Sequence, residues 1–445
     1  MRNSVMLFLD DLKRKVMASD VGQRMAKGTF WVFVGTVSSK LLAMVAGIVL
    51  ARWILDKEAY GQFGVVKSTI NMFMVVGSAG LGLTATKYIA EFKAVNKERI
   101  PSIYMLTMAF SLGLALLIGL LAFLFSDILS IEALDTPQLI PALKVAAIAL
   151  MFFIYNYAQE GALSGFEDFR SKAINNFAMH VVQIVAMIAG GYLGLKHWGD
   201  GVTGAVIGYS ISFVVYVLLD QFSINSNMRK LGLHSSFKSI EKEDVKLLFS
   251  FTLPAAISSV LAVPAFWVVR VMLKNYTGGF SDVADYEVAD QWRTMVFFLP
   301  AMLCQVILPI LSSVKRDDNA GFWKILNVNL VINVSAALLT ALAVVCLSRV
   351  ILSFYGEQYT NVWPIIYLAI ACVFNAVSNL LGIAITSIAH MWQWCGFNVF
   401  WAVVMVALSY LFLNKGMGAT GVALAVMISY LIHAVGQYIY LKIVK

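Results

Sequence analysis

The chain has 445 residues, 60% of them hydrophobic and 13% charged, with a formal net charge of +8 and a mean hydropathy of +0.80. So apolar a composition excludes a water-soluble globular protein and places most of the chain in lipid. The positive excess does not point to nucleic acid, because no basic, aromatic-interleaved soluble module is present.

From the N-terminus, residues 1–28 read as a cytoplasmic interfacial segment. The apolar run at 5–9 is too short for a cleavable signal and is followed at once by Asp10 and Asp11, while Lys13, Arg14 and Lys15 suit anionic headgroups. Twelve apolar runs then follow, at roughly 30–54, 63–88, 102–125, 141–163, 174–195, 201–222, 248–272, 287–313, 325–347, 365–388, 396–413 and 421–441. Each matches the ~17–25 residues a helix needs to cross the hydrocarbon. They are too long for barrel strands, and only helices or closed barrels satisfy the backbone in lipid. With the N-terminus inside, 22 Lys and Arg fall in cytoplasmic segments and seven in outer ones, which puts both termini in the cytoplasm. Trp53, Tyr60, Trp198, Tyr359, Trp363, Trp392 and Trp394 fit interfacial belts. Cys304, Cys346, Cys372 and Cys395 lack metal or redox spacing and read as small hydrophobes.

The longest polar interruption, residues 223–247, separates an N-lobe (29–222, spans one to six) from a C-lobe (248–445, spans seven to twelve). The lobes echo each other. GVTGAVIGYSISF at 201–213 aligns with GATGVALAVMISY at 418–430, and YGQFGVVK at 60–67 with YEVADQWR at 286–293. Six spans per lobe make these parallel repeats, which meet at a central cavity near the midplane. The fold class is therefore an all-α polytopic membrane protein, with twelve transmembrane helices in two pseudo-symmetric six-helix lobes around that cavity.

Residues 77–87, GSAGLGLTATK, have the crowded glycines of a phosphate loop. Leu83 stands where the motif needs lysine, and no Gly-Lys dipeptide occurs in the chain, so an ATP-driven pump is excluded. Gly77, Gly80 and Gly82 instead weaken the second span by about 1 kcal/mol each relative to alanine. Either they form a hinge or they admit a close neighbour. Pro254, Pro264 and Pro300 are expected to kink spans seven and eight.

The run LARWILDKEAYGQFGVVKS followed by GLGLTATKYIAEF resembles the opening of the bacterial polysaccharide transporter family, and FYGEQY at 354–359 extends the likeness. That resemblance implies a member of the multidrug, oligosaccharidyl-lipid and polysaccharide exporter superfamily in the bacterial inner membrane. It also implies a flippase for undecaprenyl-diphosphate-linked oligosaccharide rather than an enzyme. Membrane lipids, glycan polymerase and glycosyltransferases are the implied partners, and a monomer suffices.

Four cations lie within spans: Lys40, Lys67, Arg270 and Arg293. Each costs roughly 2.5–3.5 kcal/mol near a helix centre, so they are candidates for the substrate diphosphate, or for structural pairs with carboxylates. Lys40 lies about 15 Å deep by helical rise. Asp290, one turn before Arg293, either pairs with it or exchanges H+ or Na+ as the coupling group. Asn375 and Asn379, a turn apart, are further candidates for ion coupling or sugar contact. His180 is either a proton relay or a satisfied polar group, and Glu160 and Asp220 are expected to face headgroups or cap cytoplasmic loops. No cofactor is expected beyond a coupling ion. Two rivals stay open: a multidrug or organic cation exporter of the same superfamily, and a membrane-embedded glycosyltransferase or polymerase, for which clustered carboxylates and a large outer loop are lacking.

Overall fold

The computed structural model describes residues 20–78, 80–233, 262–276, 278–304, 307, 311, 318–388 and 390–445. Helix α1 (Asp20–Val49) continues through a π-helical turn at Leu50–Ile54, and α2 (Lys57–Ser78) and α3 (Leu81–Val95) follow. Next come α4 (Ile100–Ile128), α5 (Ile140–Gly165), α6 (Phe169–Trp198) and α7 (Gly201–Lys230). The second half holds α8 (Ala262–Tyr276), α9 (Phe280–Cys304), α10 (Asn319–Cys346) and the short α11 (Ser348–Tyr355), then α12 (Trp363–Ser387), α13 (Met391–Asn414) and α14 (Gly418–Val444).

Small residues decide which face of each helix is protein-facing. On α4, Ser111, Ala115, Gly119, Ala122 and Ser126 form a buried stripe, while Leu112, Leu116, Leu120 and Leu124 are exposed where lipid would lie. Without a hydrophobic driving force between helices in lipid, such stripes gain close van der Waals packing instead.

Packing repeats between the halves. In the first, α7 packs on α5 and α6 and α2 on α5; in the second, α14 packs on α12 and α13 and α9 on α12. The halves meet mainly through α2 against α8 and α9, and a cavity lies between them. This is the expected two-lobed all-α architecture.

The count of spans differs in detail. Nine described helices are long and apolar enough to cross a bilayer, and the bent pair α2–α3 makes ten. The seventh and eighth expected spans coincide in part with α8 and α9, and the rest, with Pro254, lies outside the described residues apart from Ile307 and Leu311. Helix α7 runs on to Lys230, so residues 223–230 of the expected linker are helical. Arg229 and Lys230 favour its negative C-terminal end, and Asn227 on that extension donates to Asp168 (2.7 Å). Likewise α9 starts at Phe280, seven residues before the expected 287, because its polar first turns are paired across the halves rather than solvated.

The glycine run of the second span resolves into both readings. Helices α2 and α3 are bent by 42° at Gly80, whose φ of +80° is left-handed and suits glycine alone. Gly82 and Gly161 touch backbone to backbone, and a Cβ on Gly77 would strike the Ile154 side chain. One glycine makes the bend, and its neighbours admit α5. Pro264 lies in the first described turn of α8 and Pro300 inside α9.

Candidate functional site

The central cavity has a volume of about 550 Å³ and is walled by α1, α2, α5, α6, α7, α8 and α9. Lys40, Lys67, Arg270 and Asp290 reach it, together with Glu160 and Glu287. The charges differ sharply in their partners. Arg270 donates to Glu287 and, from Nη2, to Asp290 Oδ2 at 2.9 Å; Arg293 Nε donates to Asp290 Oδ1 at 2.6 Å. Lys172 pairs with Glu160 at 3.1 Å. Among the described residues no carboxylate lies within ion-pair distance of Lys40 or Lys67. The two lysines are therefore the cavity's uncompensated charge.

Two of the four cations take the structural pairing with carboxylates that the sequence left open. Arg293 does not line the cavity: it is buried over the Phe266 ring, 4.7 Å from its centroid, and bound to Asp290. Arg270 lines the cavity but is neutralised. The cause is helical spacing: Glu287, Asp290 and Arg293 recur every third residue along one face of α9, opposite Arg270 on α8. Asp290, clamped by two guanidiniums, is a structural counter-ion in this state.

Asn375 and Asn379 lie half-buried on α12, outside the cavity lining. His180 does line it, with Nδ1 3.0 Å from Gln183 Oε1.

Of the two acids expected at headgroups or loop caps, Asp220 is buried and Glu160 is half-buried on the cavity wall. Asp220 is fully enclosed at 0% exposure and accepts from Asn156 Nδ2 and Asn175 Nδ2, both at 2.9 Å. No cation pairs with it among the described residues. Asn156 itself faces the cavity. Glu160 Oε1 accepts from the Tyr216 hydroxyl at 2.6 Å. The signal for Asp220 was in the sequence: Tyr209, Phe213, Tyr216, Asp220 and Ile224 recur at three- and four-residue spacing on the buried stripe of α7.

One end of the cavity is closed by contacts between the halves. Lys57 pairs with Asp285 at 2.8 Å, both largely buried, and sits over the Tyr359 ring. Arg52 Nη1 donates to Ser353 O (2.6 Å), Gln291 Nε2 to Ala43 O (3.0 Å), Trp267 Nε1 to Thr69 Oγ1 (2.9 Å) and Asn275 Nδ2 to Ala133 O (2.9 Å). Tyr60 and Tyr359 meet edge to face in this plug. Both are buried, not interfacial as expected, whereas Trp53, Trp198, Trp363 and Trp392 are exposed as belts require.

Residues 25–315 match the model of the polysaccharide biosynthesis protein family. The chain belongs to that family. Among its curated relatives, the EPS I polysaccharide export inner membrane protein EpsE of Ralstonia nicotianae is 24% identical over 340 residues, covering 71% of this chain and 72% of that protein. A provisionally named O-antigen transporter of Shigella flexneri is 23% identical over 361 residues, covering 80% and 82%. Of solved structures, an inward-facing multidrug resistance MATE family transporter of the MOP superfamily aligns with a TM-score of 0.76 at 16% identity, covering 91% of this chain and 94% of that one. Lipid II flippase MurJ in an inward closed conformation aligns at 0.70, also 16% identical, covering 92% and 87%. These structures establish the fold. This member of the polysaccharide biosynthesis protein family is a multi-pass membrane transporter and not an enzyme.

Proposed function

We propose that the protein flips an undecaprenyl-diphosphate-linked oligosaccharide across the bacterial inner membrane by ion-coupled alternating access. The observation that carries this reading is the charge ledger of the cavity. Every lining carboxylate has a cationic partner, and Lys40 and Lys67 remain over. Two half-buried, unpaired cations on one cavity wall attract an anion, and a ligand with about two negative charges, which a diphosphate supplies, balances them. An organic-cation exporter needs the opposite surplus. The printed names of the relatives, polysaccharide export and O-antigen transport, support the glycan part of the ligand.

On the orientation given by the loop charges, the closed end faces outward and the cavity receives substrate from the cytoplasm. The lipid tail stays in the bilayer between the lobes, N-lobe 29–222 and C-lobe 248–445. One chain encloses the cavity, so a monomer suffices, with glycosyltransferases and polymerase acting before and after it. For coupling, Asp220 replaces Asp290 as the leading candidate: it is a buried carboxylate with amide partners only, one hydrogen bond behind the cavity wall. Asn375 and Asn379 stand in reserve for H+ or Na+, and the bend at Gly80 and Pro264 are the candidate hinges.

The test is leaflet-resolved flipping of short-chain lipid-diphosphate oligosaccharide in proteoliposomes. Wild type is expected to flip it, while Lys40→Ala and Lys67→Ala each lose about ten- to hundredfold, since hydrogen bonds to charged groups contribute ~1.5–3 kcal/mol. Wild type that moves no such lipid but expels organic cations overturns the reading.

A further inference from the structure

A second space, of about 320 Å³, lies beside the cavity between α1, α5 and α6. Trp31, Thr36 and Ser39 wall it from α1, Glu160 from α5, and Lys172 and Asn176 from α6. Glu160 and Asn176 also line the central cavity, so the two spaces are neighbours across a shared polar wall. Thr36 precedes Lys40 by four residues, about 6 Å along the helix axis, on the side away from the closed end. The volume lies at the lower end of the ~300–1,000 Å³ range of small-ligand pockets.

Its chemistry differs from that of the central cavity. Glu160 and Lys172 neutralise each other at 3.1 Å, so among the described residues no unpaired cation lines the chamber to take phosphate. The pair does not exhaust its capacity, since a carboxylate offers about four acceptor sites and an ammonium three donors. Asn176 adds an amide, hydrogen-bonded to Ser39 and Tyr216, and the Thr36 hydroxyl, which donates to Val32 O at 2.8 Å, keeps its acceptor sites. Trp31 adds an indole ring steadied by Arg170, 5.6 Å from its centroid. An acyl chain here would desolvate an ion pair for no return. Mixed donors and acceptors with no net charge, beside an aromatic ring, suit a molecule with many hydroxyls and a partly apolar face.

We propose that this side chamber is a saccharide subsite. The inference rests on the flippase reading: with the diphosphate on Lys40 and Lys67, neutral sugar of the cargo occupies the chamber one helical turn away. The chamber then reads the glycan, while the lysines read the carrier.

The experiment uses purified full-length protein and two probes, a short-chain polyprenyl diphosphate with no sugar and the same lipid bearing a neutral trisaccharide, with binding followed by native mass spectrometry. Filling the chamber with Thr36→Leu is expected to weaken the glycosylated lipid at least tenfold and the bare lipid less than twofold. A second readout needs no filled variant. With the four native cysteines replaced by serine, Thr36→Cys is labelled by a maleimide, and the glycosylated lipid slows labelling whereas the bare lipid does not. Equal effects of Thr36→Leu on both probes, or equal protection by both, overturn the subsite and leave the flippase reading standing. Wild type that binds neither probe overturns the flippase reading itself.

Discussion

Asp290 makes the pair with Arg293 that its spacing offered, and its neutralisation gives a sharp prediction. Asp290→Asn preserves the shape of the side chain and removes its charge. Arg270 would keep Glu287, but Arg293 would keep no carboxylate among the described residues. Its remaining neighbour, the Phe266 ring, supplies at most about 2 kcal/mol even when desolvated. Removing one partner of a buried pair costs roughly 3–5 kcal/mol, so the ring cannot compensate. The folding equilibrium should shift by roughly two to four powers of ten. Expected in detergent is a large drop in thermal midpoint and in yield of monodisperse protein. Arg293→Gln on top of Asp290→Asn removes the orphaned charge and should recover most of the loss, giving a strong coupling in the double-mutant cycle. An Asp290→Asn protein as stable as wild type whose flipping no longer responds to an ion gradient would refute this reasoning and restore Asp290 as the coupling group.

Three further outcomes are expected. Asp220→Asn should fold, at a cost of about 1–3 kcal/mol for the amide it turns toward Asn156 or Asn175, and flip at a rate independent of pH and Na+ gradients; retained gradient dependence in proteoliposomes would remove Asp220 from the coupling path. Lys57→Glu beside Asp285 should open the closed end, raising maleimide labelling of Ser68→Cys from that side, and Asp285→Lys added to it should close the end again; labelling unchanged in both proteins would show that the ion pair does not hold the closure. Gly80→Ala should destabilise by about 1–2 kcal/mol, the cost of a left-handed backbone for an L-residue, read as a lower thermal midpoint; an unchanged midpoint would mean the bend is not left-handed in the membrane.

Architecture was legible because lipid imposes it: long apolar runs must be helices, and GxTG with a later Ile-Ser-aromatic marks the last helix of each half. Charge function was less legible, since it depends on which helices face each other. The i, i+3 spacing of Glu287, Asp290 and Arg293 was visible, but the arrival of Arg270 from α8 was not, so four cations read as one site when only two are free. Asp220 was misplaced because distance from a span's end was used where the buried stripe of α7 was the better guide. Tyr60 and Tyr359 illustrate the same limit: aromatics near a membrane interface serve equally as belts or as a plug between lobes, and only the opposing half distinguishes them.

The repeat also bears on the proposal that Asp220 is the coupling group. An offset of 217 residues, which carries Gly201 onto Gly418, carries Tyr216 onto His433 and Asp220 onto Gln437. The C-half positions form a closed neutral network: Ser378 Oγ lies 2.7 Å from His433 Nδ1 and 3.1 Å from Gln437 Oε1, and Gln437 Nε2 lies 3.1 Å from His433 Nε2. It joins α12 to α14, as the Asp220 network joins α5 and α6 to α7. Both networks satisfy their amides, but only the N-half places a carboxylate where the other half has a neutral amide. A satisfied neutral network fixes one helix arrangement, whereas a carboxylate bound only by amides has two states, charged or carrying a cation, and the surrounding donors favour them unequally. The C-half invests its charges in the Glu287–Arg270–Asp290–Arg293 cluster, whose two carboxylates and two guanidiniums cancel and tie α8 to α9. Free charge in the cavity therefore belongs to Lys40 and Lys67, and the proposed coupling carboxylate, Asp220, sits behind the same N-half wall through Asn156. Ligand and coupling ion would act on one lobe, with the other as the rigid body against which it moves.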